Sequence, residues 1–160
     1  FKGFPAVINF PSPGFAYGQH RRNLERNNYG VQQELKTLRT AKELGFYTFG
    51  LAYDEEIAMQ IAADNHDALV LGLAMLEWEN GGATLEQAAE YINRVSTKVK
   101  AVAPEMLIFV QGLPVQTPED TQYIYDHTDA VGFIGINNMD YGTKPIQDTV
   151  AAFKSAKIHA

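Results

Sequence analysis

Cysteine is absent from the 160 residues. That excludes a disulfide framework and any thiolate metal site. No apolar run approaches the roughly 18 residues of a membrane helix, and no signal peptide is visible, so a cytoplasmic protein without a membrane partner is expected. Basic residues are few: 13 Lys and Arg stand against 19 Asp and Glu, for a net charge of −6. Non-specific DNA or RNA binding needs a basic face, so nucleic acid is not an expected partner. An anionic small molecule stays open, because a few backbone N–H groups can hold a phosphate on an acidic protein. A Walker loop, a dinucleotide fingerprint, HExxH and a Ser/His/Asp arrangement are also missing. The chain starts at Phe1 rather than Met, and it is read as a trimmed piece of something longer.

What is present is a repeated pattern. Hydrophobic residues make up 46% of the chain, enough for one ordinary domain spanning 1–160 with a real core. Five short apolar runs recur: Ala6 to Phe10, Tyr47 to Ala52, Ala68 to Ala74, Leu107 to Gly112 and Val131 to Ile136. Each is too short for a buried helix and rich in Val, Ile, Leu, Phe or Tyr, so each predicts a strand buried on both faces. Helical patterns between them imply parallel pairing through right-handed crossovers. In such folds the chemistry sits at the C-terminal ends of the strands. The places to look are therefore Asn9, Tyr53, Gly72, Gln111 and Asn137 with their neighbours.

The helices announce themselves at their ends. Gly30 to Leu44 carries Val31, Leu35, Leu38, Ala41 and Leu44 on one face and stops at Gly45. Asp54 caps a helix whose first turn holds Glu55 and Glu56. Thr84 and Gln87 have capping-box spacing, and the helix they open buries Leu85, Ala88, Ala89, Ile92, Val95, Val99 and Val102 before Pro104. Thr117 with Pro118 opens the next, and Thr143 and Pro145 open the last, with Ile146, Val150 and Phe153 inward. Pro11 to Asn28 reads as the longest irregular stretch, a length usually functional or mobile.

Five βα units fit two architectures. A closed (β/α)8 barrel takes about 250 residues, so five units would be part of one. An open doubly wound five-stranded parallel sheet fits 160 residues without strain. Periodicity does not separate them. The abrupt start inside a strand-like run favours the last five units of a barrel.

A family resemblance rests on Asn9-Phe10-Pro11, Arg21 to Glu25, Pro118-Glu119-Asp120 with Gln122-Tyr123, Gly132-Phe133-x-Gly135, Met139 and Ala152-Phe153-Lys154. In their order and spacing these pieces resemble the phosphoenolpyruvate hydrolase-like TIM-barrel family, also labelled TIM-barrel signal transduction proteins. The resemblance implies a (β/α)8 fold, of which this chain carries the fourth to eighth units. It also implies a hydrolase or lyase activity on phosphoenolpyruvate-like or 2-oxo acid substrates. The chain departs from the family pattern at three points. Gly72 and Gln111 stand where family members place histidines, and Asn137 and Asn138 where they place a pair of serines. An imidazole can move protons near neutral pH or bind a divalent metal, which Gln and Asn do poorly. Amides can still orient a carboxylate or polarise a carbonyl. An altered reaction, a binding site without chemistry and a member that has lost activity are the readings left open.

Each candidate residue has a plainer alternative. Gly112, Gly135 and Asn137 follow the last two strands, where many barrels hold phosphate on backbone N–H groups; the alternative is that the glycines only permit tight turns. Glu77 and Glu79 flank Trp78, a carboxylate pair suited to Mg²⁺ or to acid–base work; the alternative is a solvated loop whose Trp covers the rim. His20, Arg21 and Arg22 form the densest cationic cluster, fit to hold an anionic substrate or to pair with acidic neighbours. His66-Asp67 reads as a structural turn on the opposite face, and His127 and His159 as exposed. The expectation is an enzyme-like domain binding a small anionic 2-oxo acid or its enol phosphate. Gly112, Gly135, Arg21 and Arg22 would hold the anion. Asn9, Gln111 and Asn137 would orient the reacting carbonyl or enolate. Glu77 is the one acid or base named, with Mg²⁺ as the only cofactor in view and no metal ligands assigned. The competing expectation is a non-catalytic interaction or regulatory module of a larger protein. A homo-oligomer or a missing N-terminal segment is expected to complete the barrel.

Overall fold

The strands pair in strict chain order. The computed structural model describes residues 5–76, 82–135 and 143–158, the side chains of 143–145 excepted. Strands β1 (Ala6–Ile8), β2 (Tyr47–Ala52), β3 (Ala68–Gly72), β4 (Leu107–Gln111) and β5 (Gly132–Ile134) form one sheet in the order β1-β2-β3-β4-β5. All four pairings are parallel. A doubly wound sheet reverses its strand order part-way, and this one does not. The sheet is a curled half-barrel of α/β type, and the open doubly wound alternative is set aside.

Six α-helices are described: α1 (Gly18–Arg26), α2 (Val31–Glu43), α3 (Glu55–Ala63), α4 (Leu85–Val102), α5 (Pro118–His127) and α6 (Thr143–Lys154). None of the helices among the described residues is long and apolar enough to cross a membrane. Alternation along the strands divides their residues between two faces. Ala52, Leu69, Leu71, Ile108 and Val110 face the helices and share one core with Leu35 and Leu38 of α2, Ile57 and Ile61 of α3, Ile92 and Val95 of α4 and Ile124 of α5. Ile8, Phe49, Leu51, Val70 and Phe109 lie on the other face by register. That face is concave. Strands two apart in a flat sheet stand roughly 10 Å from each other, yet the rings of Phe49 and Phe109, on β2 and β4, meet edge-on at 5.4 Å across β3, where they are in register with Ala68 and Val70. Curling closes them over β3, and Leu51 and Val70 are buried beneath.

Local sequence explains the helix starts. Asp54 Oδ1 accepts from Ile57 N at 2.8 Å and caps α3. Thr84 with Gln87 and Thr117 with Asp120 each form a complete capping box. Other expectations are corrected. Of the described strands only β3 is buried along its whole length; β1 is mostly exposed, and among the described residues one of its edges has no neighbour. Leu44 and Val102 are 71% and 52% exposed because each lies at the end of its helix, past the last turn that meets the sheet. Ile146 is 38% exposed. Pro11 to Asn28 is not irregular: it holds a 3₁₀ turn at Pro13–Phe15 and then α1. No residue of α1 is fully buried, so it has no apolar stripe to reveal it. Polar pairs one turn apart support it instead, Gln19 Nε2 to Asn23 Oδ1 at 2.8 Å and Arg22 Nη2 to Gln19 Oε1 at 3.0 Å.

The N-terminal end of β3 carries a buried polar knot. Thr48 Oγ1 donates to Asp67 Oδ2 at 2.9 Å, so its one proton is spent. It must therefore accept from His66 Nδ1, 3.0 Å away, which fixes the imidazole as the Nδ1–H tautomer. His66 Nε2 is left buried without a hydrogen bond, 3.9 Å from Asp64 Oδ2. Burial depresses the His66 pKa below its ordinary 6.5; Asp64 opposes that and Lys42 adds to it. Below pH 6.5 the unfolded chain gains a proton that the fold refuses. Stability should therefore fall as pH drops from 6.5 toward the folded pKa, by at most about 1.4 kcal/mol per pH unit. Urea melts at pH 7.5 and 5.5 on the wild type and His66→Gln test this, and an unchanged slope in the variant would refute it.

Candidate functional site

The C-terminal ends of the strands gather the polar residues. β1 runs on to Asn9, β2 to Tyr53, β3 ends at Gly72 and β4 at Gln111. Register sets Gly72 beside Gln111 and Gln111 beside Ile134, so the next residues on the last pair, Gly112 and Gly135, follow neighbouring strands.

Gln111 and Tyr53 fall on the concave face. Gln111 Oε1 is buried, and nothing among the described residues donates to it. Tyr53 has the parity of Phe49 and Leu51. Its ring stands on Gly72: a Cβ there would lie 2.4 Å from Tyr53 Cε1. On its other side the ring meets Gly14, where a Cβ would be 3.3 Å from Cδ2. Phe15 packs edge-on at 6.2 Å. Two glycines and a phenylalanine thus fix the phenol. Burial raises its pKa and the Glu34 charge adds to the rise, so Tyr53 remains a proton-bearing donor at neutral pH. Gly112 has φ +93°, a left-handed conformation that suits glycine, and a Cβ there would have almost open space around it.

Asn9 lies on the helix side and its amide is engaged. Its Oδ1 accepts from Leu51 N at 2.6 Å, and its Nδ2 donates to Leu51 O at 3.2 Å and to Glu34 Oε2 at 3.0 Å. Buried Ser12 donates to the same Glu34 oxygen at 2.6 Å. Burial lifts the Glu34 pKa, the bonds from Ser12 and Asn9 oppose it, and Glu25 adds to it. Sequence reasoning passed over Glu34, although it stands three residues after Val31 and four before Leu38, on the buried stripe of α2. Arg21 pairs with Asp54 at 2.8 Å, and Arg22 is tied to Gln19 on the outside of α1. Among the described residues neither arginine contacts Gln111; both line a shallow pocket with Gly18, Glu25 and Glu56. Gly135 lines an apolar groove of about 400 Å³ between β5, α5 and α6, with Tyr125, Phe133 and Phe153. Glu77, Glu79, Trp78, Asn137, Asn138 and Met139 lie outside the described residues.

Five parallel βα units in chain order, helices on one side and polar groups at the C-terminal ends of the strands, define a barrel-type (β/α) domain. Solved structures of this fold include a flavocytochrome b2 double mutant with sulfite bound (TM-score 0.55, 15% identity, 96% of this chain and 42% of that one). A native KDPGal structure is similar at TM-score 0.53 and 20% identity, over 76% of this chain and 52% of that one. The chain belongs to the phosphoenolpyruvate hydrolase-like family, whose model matches residues 1–156. Relatives include a Sinorhizobium fredii protein whose name describes it as a transcriptional regulatory protein, y4pA (29% identical, 96% of this chain, 26% of that protein). Another is the ToMV resistance protein Tm-1 of Solanum lycopersicum (26% identical, 94% of this chain, 20% of that protein). The chain spans about a quarter or less of the length of these relatives.

Proposed function

We propose that this domain binds a small anionic 2-oxo acid or its enol phosphate at the C-terminal ends of β3, β4 and β5. The observation that carries the reading is the buried, unfilled amide oxygen of Gln111. Leaving such an acceptor without a donor costs about 1–3 kcal/mol; the enol hydroxyl of the ligand's enol form would satisfy it, and the Nε2–H groups of the same amide can donate to a carboxylate or keto oxygen. Gly112 and Gly135 let the flanking backbone approach an anion closely, and the family supports the substrate class. Asn9 supports the site by tying β1 to β2 and Glu34. Asn137 and Glu77, with any Mg²⁺ that Glu77 would hold, remain part of the reading by their place in the chain alone.

Thermal melts with phosphoenolpyruvate, pyruvate and inorganic phosphate test it. A ligand at 100 times its Kd should stabilise the domain by about 2.7 kcal/mol. Gln111→Leu removes an unpaired buried polar atom, so the unliganded variant should melt no lower than the wild type while losing the shift with pyruvate. Gly135→Val should remove the shift with phosphate. Ligand shifts that survive both substitutions would refute the site.

A regulatory module is the second reading, favoured by Gly72 and Gln111, which supply no group that titrates near neutral pH. The relatives' greater length fits a domain that senses a metabolite within a larger protein.

A further inference from the structure

We propose that Tyr53 is the hydrogen-bond donor of this site, its hydroxyl taking the carbonyl or enolate oxygen of the bound 2-oxo acid while Gln111 takes the neighbouring polar group. The inference rests on the functional reading above and adds the residue that reads the substrate oxygen. Three features of the structure point to it. The phenol is clamped from both sides by residues without side chains, Gly72 and Gly14, so its direction is set by packing before any ligand arrives. Phe15 closes on the ring edge and removes the freedom to swing. Tyr53 makes no hydrogen bond among the described residues that would consume its hydroxyl, and Gln111, one strand beyond Gly72, has an unfilled oxygen. The Tyr53 O–H and the Gln111 Nε2–H, donors on either side of one glycine, suit the adjacent acceptor oxygens of a 2-oxo carboxylate. Burial and the nearby Glu34 keep the phenol protonated, which a donor requires.

The clamp also explains Gly72. A β-carbon at that position would lie 2.4 Å from Cε1 and 2.5 Å from Cδ1 of the ring, so any larger residue must displace Tyr53. Gly72→His would therefore not place an imidazole beside Gln111 without first moving the phenol.

Calorimetric titration with pyruvate and with oxalate, a dianion shaped like the enolate, tests the proposal. The wild type should bind oxalate, and Tyr53→Phe should weaken it about tenfold, as expected for a lost hydrogen bond to a charged oxygen. The unliganded melt of Tyr53→Phe should stay within a few degrees of the wild type, because the ring keeps its place between the glycines. Gly72→Ala, which retains the hydroxyl but turns the ring, should show a comparable loss. A loss under fivefold in Tyr53→Phe, with the wild type binding, overturns this inference and leaves the functional reading standing. A wild type that binds neither pyruvate, oxalate nor phosphoenolpyruvate overturns both.

Discussion

Leu71→Ala is expected to destabilise the domain by about 3 kcal/mol, within the range for emptying a fully enclosed leucine site. Leu71 is on β3, the one strand buried along its whole length, and no part of it reaches solvent. It faces the helix layer, in the same core as Ile57 and Ile61 of α3 and Ile92 of α4. Partners on both strand neighbours leave the site little room to collapse. For a chain of this size the change corresponds to a melting temperature lower by roughly 6–12 °C. Leu44→Ala is the control: that side chain projects from the end of α2 and should change stability by less than about 0.5 kcal/mol. Thermal or urea melts of the two variants decide the matter. Equal effects would mean that the core is not where the packing places it.

The isolated 160-residue chain is expected to associate in solution, with a mass by light scattering at least twice its 17.8 kDa. Among the described residues β1 pairs only with β2 and β5 only with β4, so both outer edges of the described sheet carry unmatched backbone donors and acceptors. Such edges template pairing with another chain. At β1 the tendency is reinforced by the exposed side chains of Ile8 and Phe10. Ile8→Lys, which puts a charge on that edge, should reduce the measured mass. A monodisperse monomer that melts cooperatively would show that these edges do not recruit a partner.

Most of the architecture was legible because its signals are local. The strands fall within the five apolar runs, and Asp54, Thr84 and Thr117 mark helix starts through hydrogen bonds to residues three positions on. The family motifs gave the barrel reading that the strand order bears out. Helix α1 was illegible because its support is polar and its burial slight. The exposure of Leu44 and Val102 was hidden because periodicity extends a stripe past the point where the sheet stops. At the site, Gln111 was legible as the residue ending a strand. The role of Gly72 was not, since its significance lies in the Tyr53 ring above it, nineteen positions earlier in the chain. Glu34 likewise gains meaning only through Asn9 and Ser12, brought to it by the turn into α2.

The strand order has a consequence for how such a chain can grow. Among the described residues every strand hydrogen-bonds only to the strand before or after it in sequence. The molecule is in that respect a ladder, whose rungs can be appended or removed at either end without rethreading the rest, as in proteins assembled from stacked repeats. Contacts between successive units are also the ones that a growing or refolding chain meets first. A gene that gains a βα unit at either end would leave the β1–β5 sheet and its polar rim undisturbed, so length can increase while the ligand-facing surface is inherited whole.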